Sequence, residues 1–119
     1  MKTGTMPEQG DIVLIPVPFT DLSSRKRRPV IVISNNAYNR AARDIIVVAM
    51  TSNPLSTPMG FQVTSADLVE GSLNRPGIVR VDKIYTLAQS IVVKKFGRVS
   101  RAIVDRIRSL LDTVTAPKP

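Results

Sequence analysis

The chain contains no cysteine and no histidine. The first absence excludes disulfides and thiolate chemistry. The second removes the commonest general base, the commonest metal ligand and every triad built on imidazole. With both missing, a structural zinc site is ruled out. Tryptophan is absent as well, and aromatics make up only 4% of the residues, so a core must be assembled from Val, Ile and Leu, which favours β structure. No apolar run reaches the length of a membrane span, and the first residues lack a signal-peptide h-region. A cytoplasmic protein with no membrane partner is therefore expected. Acidic residues are scarce beside basic ones: 9 Asp and Glu against 17 Lys and Arg, a net charge of +8. That excess points to a polyanionic partner, although charge alone is equally consistent with a plain basic protein.

What is present is a set of β-branched runs. The 119 residues suit one domain spanning 1–119, with 1–9 and 115–119 as loose termini. Gly10–Asp11 opens IVLIPVPF, where Pro16 and Pro18 cannot donate to a ladder, so this strand needs a free edge or an early bend. Residues 20–28 read as a polar loop. PVIVIS from Pro29 is continuous and apolar, as in a strand covered on both faces. NNAYNRAARD (35–44) is a turn with one short helical piece, IIVVAMT (45–51) a second strong strand, and GFQVT (60–64) a short one. Residues 65–77 look irregular. IVRVDKIY (78–85) alternates, with Arg80 and Asp82 on one face and Val79 and Val81 on the other. SIVVKKF (90–96) adds a further short strand. From Ser100 the period becomes helical: Ile103, Val104, Ile107, Leu110, Leu111 and Val114 form a stripe, Ser100 is the N-cap and Pro117 the stop. The expected fold is mainly β with a C-terminal helix (α+β), a small and strongly curved barrel under a helical lid.

Three places concentrate chemistry beside these strands. The first is the basic run Arg25, Lys26, Arg27, Arg28. Such a run is commonly a solvated turn, but Arg28 adjoins Pro29 at a strand entrance, where a guanidinium can fork onto a phosphate. The second is Thr51 with Ser52 at the end of the next strand, where a threonine also commonly satisfies local backbone. The third is Arg80 with Asp82, which can equally be a surface ion pair of under about 1 kcal/mol. Together they fit one reaction that needs neither metal nor histidine, RNA cleavage by the neighbouring 2′-hydroxyl. That step requires a base for the hydroxyl proton, an acid for the 5′-oxygen and cations for the phosphorane. Asp82 is a candidate base, Arg80 or Arg28 a candidate acid or stabiliser, and Thr51 a donor to a phosphate oxygen. An arginine, with a pKa of about 12.5 or above, serves better as a stabiliser than as an acid.

These residues carry a resemblance. GDIVLIPVPFTDLSSRKRRPVIVIS is similar to the N-terminal half of the MazF/PemK family of type II toxin–antitoxin toxins, and VVAMTSNP, GIVRVDKIYTL and VKKFGRVS resemble its later landmarks, in order, across residues 9–111. The resemblance implies a homodimer of SH3-like barrels of the kind shared with the gyrase poison CcdB. It also implies a sequence-specific, ribosome-independent, metal- and cofactor-independent endoribonuclease of single-stranded RNA that leaves 2′,3′-cyclic phosphate and 5′-hydroxyl ends. The implied protein partner is a MazE/PemI-like antitoxin whose acidic tail covers the RNA groove. The family's catalytic Arg and Thr fall on Arg28 and Thr51, and its supporting Arg and Asp on Arg80 and Asp82. Arg25, Lys26 and Arg27 would grip the RNA backbone, joined by Ser52 and Lys83. Some members carry a His or a longer Gly-rich stretch in the first loop; here it reads TDLSSRKRR, leaving Asp21, Ser23 and Ser24 as its polar contacts. Tyr38, Phe61 and Tyr85 are the few aromatics able to stack on bases, with packing as the commoner use. Two other functions fit the same fold: a CcdB-like, topoisomerase-directed inhibitor and a non-catalytic RNA-binding module. The first is disfavoured because the chain ends TAPKP, without the Trp-Gly-Ile which that activity uses.

Overall fold

A computed structural model describes residues 6–17, 26–53 and 58–119. The expected contacts of Asp21, Ser23, Ser24 and Arg25 lie outside the described residues. In chain order the elements are β1 (Asp11–Val17), β2 (Lys26–Val32), α1 (Asn36–Ala41), β3 (Asp44–Thr51), β4 (Gly60–Val63), β5 (Leu68–Gly71), β6 (Gly77–Ala88), β7 (Lys94–Val99) and α2 (Arg101–Thr115). The strands form one sheet in the order β4-β6-β3-β2-β1-β7-β5, and the pairings are antiparallel. β4 and β5 stand at the two ends of that order, and the sheet curls into a half-barrel. Two register breaks help it bend. In β7, Phe96 falls outside the register between Ile12↔Gly97 and Val13↔Lys95. In β6, Val81, Asp82 and Lys83 fall between Ala49↔Arg80 and Val48↔Ile84.

Strand alternation builds two cores, one on each face. Ile12, Ile31, Val48, Val79 and Val81 pack under Ile103, Val104 and Ile107 of α2. Val13, Ile15, Val30, Val32, Ile45, Val47 and Leu87 form the other, with Tyr85, Ile91 and Val92 against them. Hence Val30, Ile31 and Val32 are all buried, which explains why PVIVIS lacks polar alternation. α2 begins as expected, Ser100 accepting from the Ile103 N–H at 3.4 Å. It ends at Thr115, with Ala116 extended at ψ 141, the geometry a residue before proline prefers. Phe61 is a core residue with the Arg106 guanidinium 4.0 Å above its ring.

The structure departs from the sequence reading in several places. β2 starts at Lys26, so Lys26, Arg27 and Arg28 belong to a strand and not to a loop; their partners on β1 are Val17, Pro16 and Ile15. β1 supplies a ladder that charge does not disrupt. On its other side β1 pairs with β7 only from Asp11 to Leu14, which leaves the expected free edge at Pro16. β5 lies inside the stretch read as irregular, because its residues are mostly exposed and give no apolar pattern. β7 is KKFGRV and not SIVVKKF: Ile91 and Val92 face a core from a connection, and periodicity cannot separate the two cases. The lead-in is tied down earlier than expected. Gln9 donates its N–H to Asn36 Oδ1 and its side-chain amide to the Ile33 carbonyl, both at 2.8 Å.

Gly71 is a glycine for a stated reason. Its φ is +80, and a Cβ there would sit 2.8 Å from the Gly97 Cα. Any side chain would meet both strain and the β7 backbone.

Candidate active site

The β2–β3 ladder ends at Val30↔Ala49. Arg28, two residues before Val30, and Thr51, two residues after Ala49, lie beyond it, each on the same face as that paired residue. Ala49 also pairs with Arg80 on β6. The alternation therefore turns Arg28, Thr51 and Arg80 to one side of the sheet. A cleft of about 530 Å³ opens there, lined by these three with Ser52, Asn53, Lys83 and Tyr85, over a floor that includes Val30 and Ala49. The floor continues the second core, so the site is the wet end of a face whose remainder is apolar.

Arg28 is exposed and Thr51 half-buried. The Thr51 hydroxyl oxygen accepts from the Asn53 N–H at 3.1 Å, the local backbone bond that a strand-ending threonine commonly makes. That bond uses a lone pair and not the hydroxyl hydrogen. Arg80 and Asp82 form a two-pronged fork, Nε to Oδ1 and Nη2 to Oδ2, both 3.1 Å. The hydrogen bond from Arg80 holds the Asp82 carboxyl below the usual carboxylate range, and Asp82 in turn raises Arg80. Asp82 does not itself line the cleft; it stands beside Arg80 on the β6 bulge and fixes the guanidinium plane.

The structure thus gathers Arg28, Thr51, Ser52, Arg80 and Lys83 from three separate stretches of sequence. Lys26 and Arg27 are exposed on the same strand but do not line the cleft. One polar lining residue was not singled out, Asn53, whose N–H steers the Thr51 hydroxyl; Tyr85, named as an aromatic able to stack, reaches the cleft by a bulge that alternation does not reveal. Among the described residues, no three His, Cys, Asp or Glu side chains come together in a way that could hold a metal ion. A cleft with three cations and a fixed hydroxyl is suited to a phosphodiester.

Residues 8–115 match the family model of the PemK-like, MazF-like toxins of type II toxin–antitoxin systems. The chain belongs to that family. Endoribonuclease MazF1 of Mycobacterium bovis is 28% identical over 86 residues, which cover 72% of this chain and 76% of that protein. Among solved structures, an endoribonuclease from Mycobacterial species has a TM-score of 0.74 at 25% identity, covering 99% of this chain and 100% of the other. An endoribonuclease in complex with its cognate antitoxin, also from Mycobacterial species, has a TM-score of 0.69 at 26% identity over 95% and 99% of the two chains. The expected toxin family and the expected mainly β fold with a C-terminal helix both hold.

Proposed function

We propose that this toxin is an endoribonuclease acting on single-stranded RNA, with its chemistry at Arg28, Thr51 and Arg80. The observation that carries the reading is the convergence of these three on one cleft. The 2′-oxygen would bond to phosphorus as the bond from phosphorus to the 5′-oxygen breaks. Solvent water takes the 2′-proton and supplies one to the 5′-oxygen, leaving 2′,3′-cyclic phosphate and 5′-hydroxyl ends. Arg28 and Arg80 neutralise the phosphorane and Thr51 donates to one of its oxygens, while Ser52 and Lys83 hold neighbouring chain. Rate enhancement then rests on positioning and charge more than on a matched acid–base pair. The related endoribonuclease with its cognate antitoxin supports a like partner here, and a net charge of +8 suits an acidic segment that folds on binding. We assign the protein to the cytoplasm, acting as a homodimer.

The test is a long RNA of known sequence incubated with the protein in EDTA, with its 5′ ends mapped. Discrete cuts, absent with Thr51→Ala at an unchanged melting temperature, support the proposal; intact RNA overturns it.

The fork supports a positioning role for Asp82. Both carboxylate oxygens already accept from Arg80, so Asp82 acts as a positioning residue for that guanidinium. Asp82→Asn is expected to lower kcat/KM by roughly 10- to 100-fold, the scale of a misplaced group. The folded-state pKa of Asp82 is depressed, so the fork is intact above the ordinary carboxylate value and is lost only as pH falls through that lowered value. The ratio of variant to wild type should therefore stay flat between about pH 5 and 8. A loss beyond about 10⁴-fold, with a ratio that varies with pH, would instead make Asp82 the general base.

A further inference from the structure

The ridge formed by Pro29, Thr51 and Ser52 has a cavity on each side. The first is the cleft already described. The second, of about 290 Å³, lies between this ridge and the segment joining β5 to β6, with Leu73, Asn74 and Arg75 among its walls and Phe96 beside them. Its volume is at the small end for ligand clefts and suits one planar ring better than a length of chain. Polar and apolar groups are divided within it. Leu73 and Phe96 are half-buried, whereas Ser72, Asn74 and Arg75 are exposed.

The wall is held in place. The Leu73 N–H donates to the Ser65 hydroxyl oxygen at 2.8 Å, and the same hydroxyl donates to the Leu73 carbonyl at 3.1 Å. One side chain thus pins both polar groups of a single residue, next to Asn74. At the other end, Gly77 brings the start of β6 against Met50; a Cβ there would lie 3.0 Å from the Met50 sulfur. Phe96 is the residue outside the β1–β7 register, and the bulge carries it to the cavity.

We infer that this second cavity is a nucleobase subsite, in which Asn74 and Arg75 read the nucleotide next to the scissile phosphate. The inference rests on the nuclease reading above. The two cavities share Pro29, Met50, Thr51 and Ser52, so a strand held at Thr51 has the second cavity directly across the Thr51–Ser52 ridge. Single-stranded RNA is recognised by splayed bases that rest on aromatic or guanidinium planes and bond through their edges. Phe96 and the Arg75 plane supply the first kind of contact. The Asn74 amide, donor and acceptor at once, supplies the second. Specificity at this position would then come from residues outside the β1–β2 connection.

The experiment uses the full chain on a randomised RNA pool, with cut sites sequenced for wild type, Asn74→Ala, Asn74→Asp and Arg75→Ala. Base preference at one position adjoining the cut should weaken by about tenfold in Asn74→Ala, in keeping with the loss of a base-edge contact. It should change identity in Asn74→Asp, which exchanges a donor for an acceptor. Preferences at the other positions should persist. An unchanged profile in all three variants overturns the subsite while leaving the nuclease reading standing. A wild type that leaves the pool whole overturns that reading and the subsite with it. Weakened binding of a polyglutamate peptide by these variants, with an unaltered cleavage profile, would assign the cavity to an acidic peptide and likewise overturn the inference.

Discussion

Arg28→Ala is expected to reduce RNA cleavage by about 100- to 1,000-fold, the usual loss when one preorganised charge stabiliser is removed. Its backbone is held in the β1–β2 ladder opposite Ile15, and Pro29 restricts its conformation to the extended region. The guanidinium is therefore delivered to the cleft from a fixed base, whereas its side chain is exposed. The substitution removes the charge without opening a cavity, and the melting temperature should stay within about 2 °C of wild type, as for a surface change away from packing. Arg28→Lys restores charge but not the planar fork, and should recover only part of the loss. The measurement is kcat/KM on a short fluorogenic RNA beside a thermal melt. Cleavage by Arg28→Ala within about threefold of wild type would falsify the assignment of Arg28 to the reaction.

The sequence made the strands that bury both faces legible, because β-branched runs such as Val30–Val32 have few other uses. It also showed the α2 boundaries, where Ser100 and Pro117 act through backbone geometry. It did not show β5, whose exposed residues are held by pairing to β7 and not by burial. Arg28, Thr51 and Arg80 could be named as candidates from residue type and position. Their convergence could not, since it depends on register: Arg28 and Thr51 flank the end of one ladder, and Arg80 pairs with Ala49. The fork between Arg80 and Asp82 followed from i, i+2 spacing on a strand, but the three-residue bulge that puts Asp82 beside the cleft and Tyr85 within it did not. Bulges are set by tertiary curvature and leave little local trace. The basic run illustrates the same limit. Four adjacent cations look alike as text, yet strand alternation turns Arg28 into the cleft and Arg27 to the opposite face; Lys26 shares the face of Arg28 but lies beyond the residues that line the cleft, and Arg25 is beyond the described residues.

The largest stability effect should come from Asp11, which has no place in the cleft. Its side chain is 3% exposed and pairs with Arg98 Nε at 2.8 Å and Lys95 Nζ at 3.4 Å. It also accepts from the Glu8 N–H at 2.8 Å. Arg98 reaches on to Glu8 at 2.6 Å and Lys95 to Glu70 at 3.0 Å. One carboxylate thereby joins the lead-in, β1 and β7, and through Lys95 it reaches β5, the outer strand beside the Ser72–Arg75 wall. Asp11→Ala leaves two cations of β7 with less counter-charge and a backbone N–H without its acceptor. Removing one member of a buried pair costs about 3–5 kcal/mol. Arg98 and Lys95 keep 30% and 29% of their side-chain surface, so water recovers part of that, and about 2–3 kcal/mol is expected. For a chain of this size the melting temperature should drop by roughly 10 °C. Asp11→Asn keeps an acceptor for the Glu8 N–H but not the charge, and should fall between the two. If β5 and β7 loosen as a unit, amide exchange in both should accelerate in Asp11→Ala while β3 and β6 stay protected. RNA cleavage well below the new melting temperature should then be nearly intact, with the cut-site preference assigned to Asn74 blurred. A melting temperature unchanged within about 2 °C would show that the half-barrel closes on its apolar cores without this network.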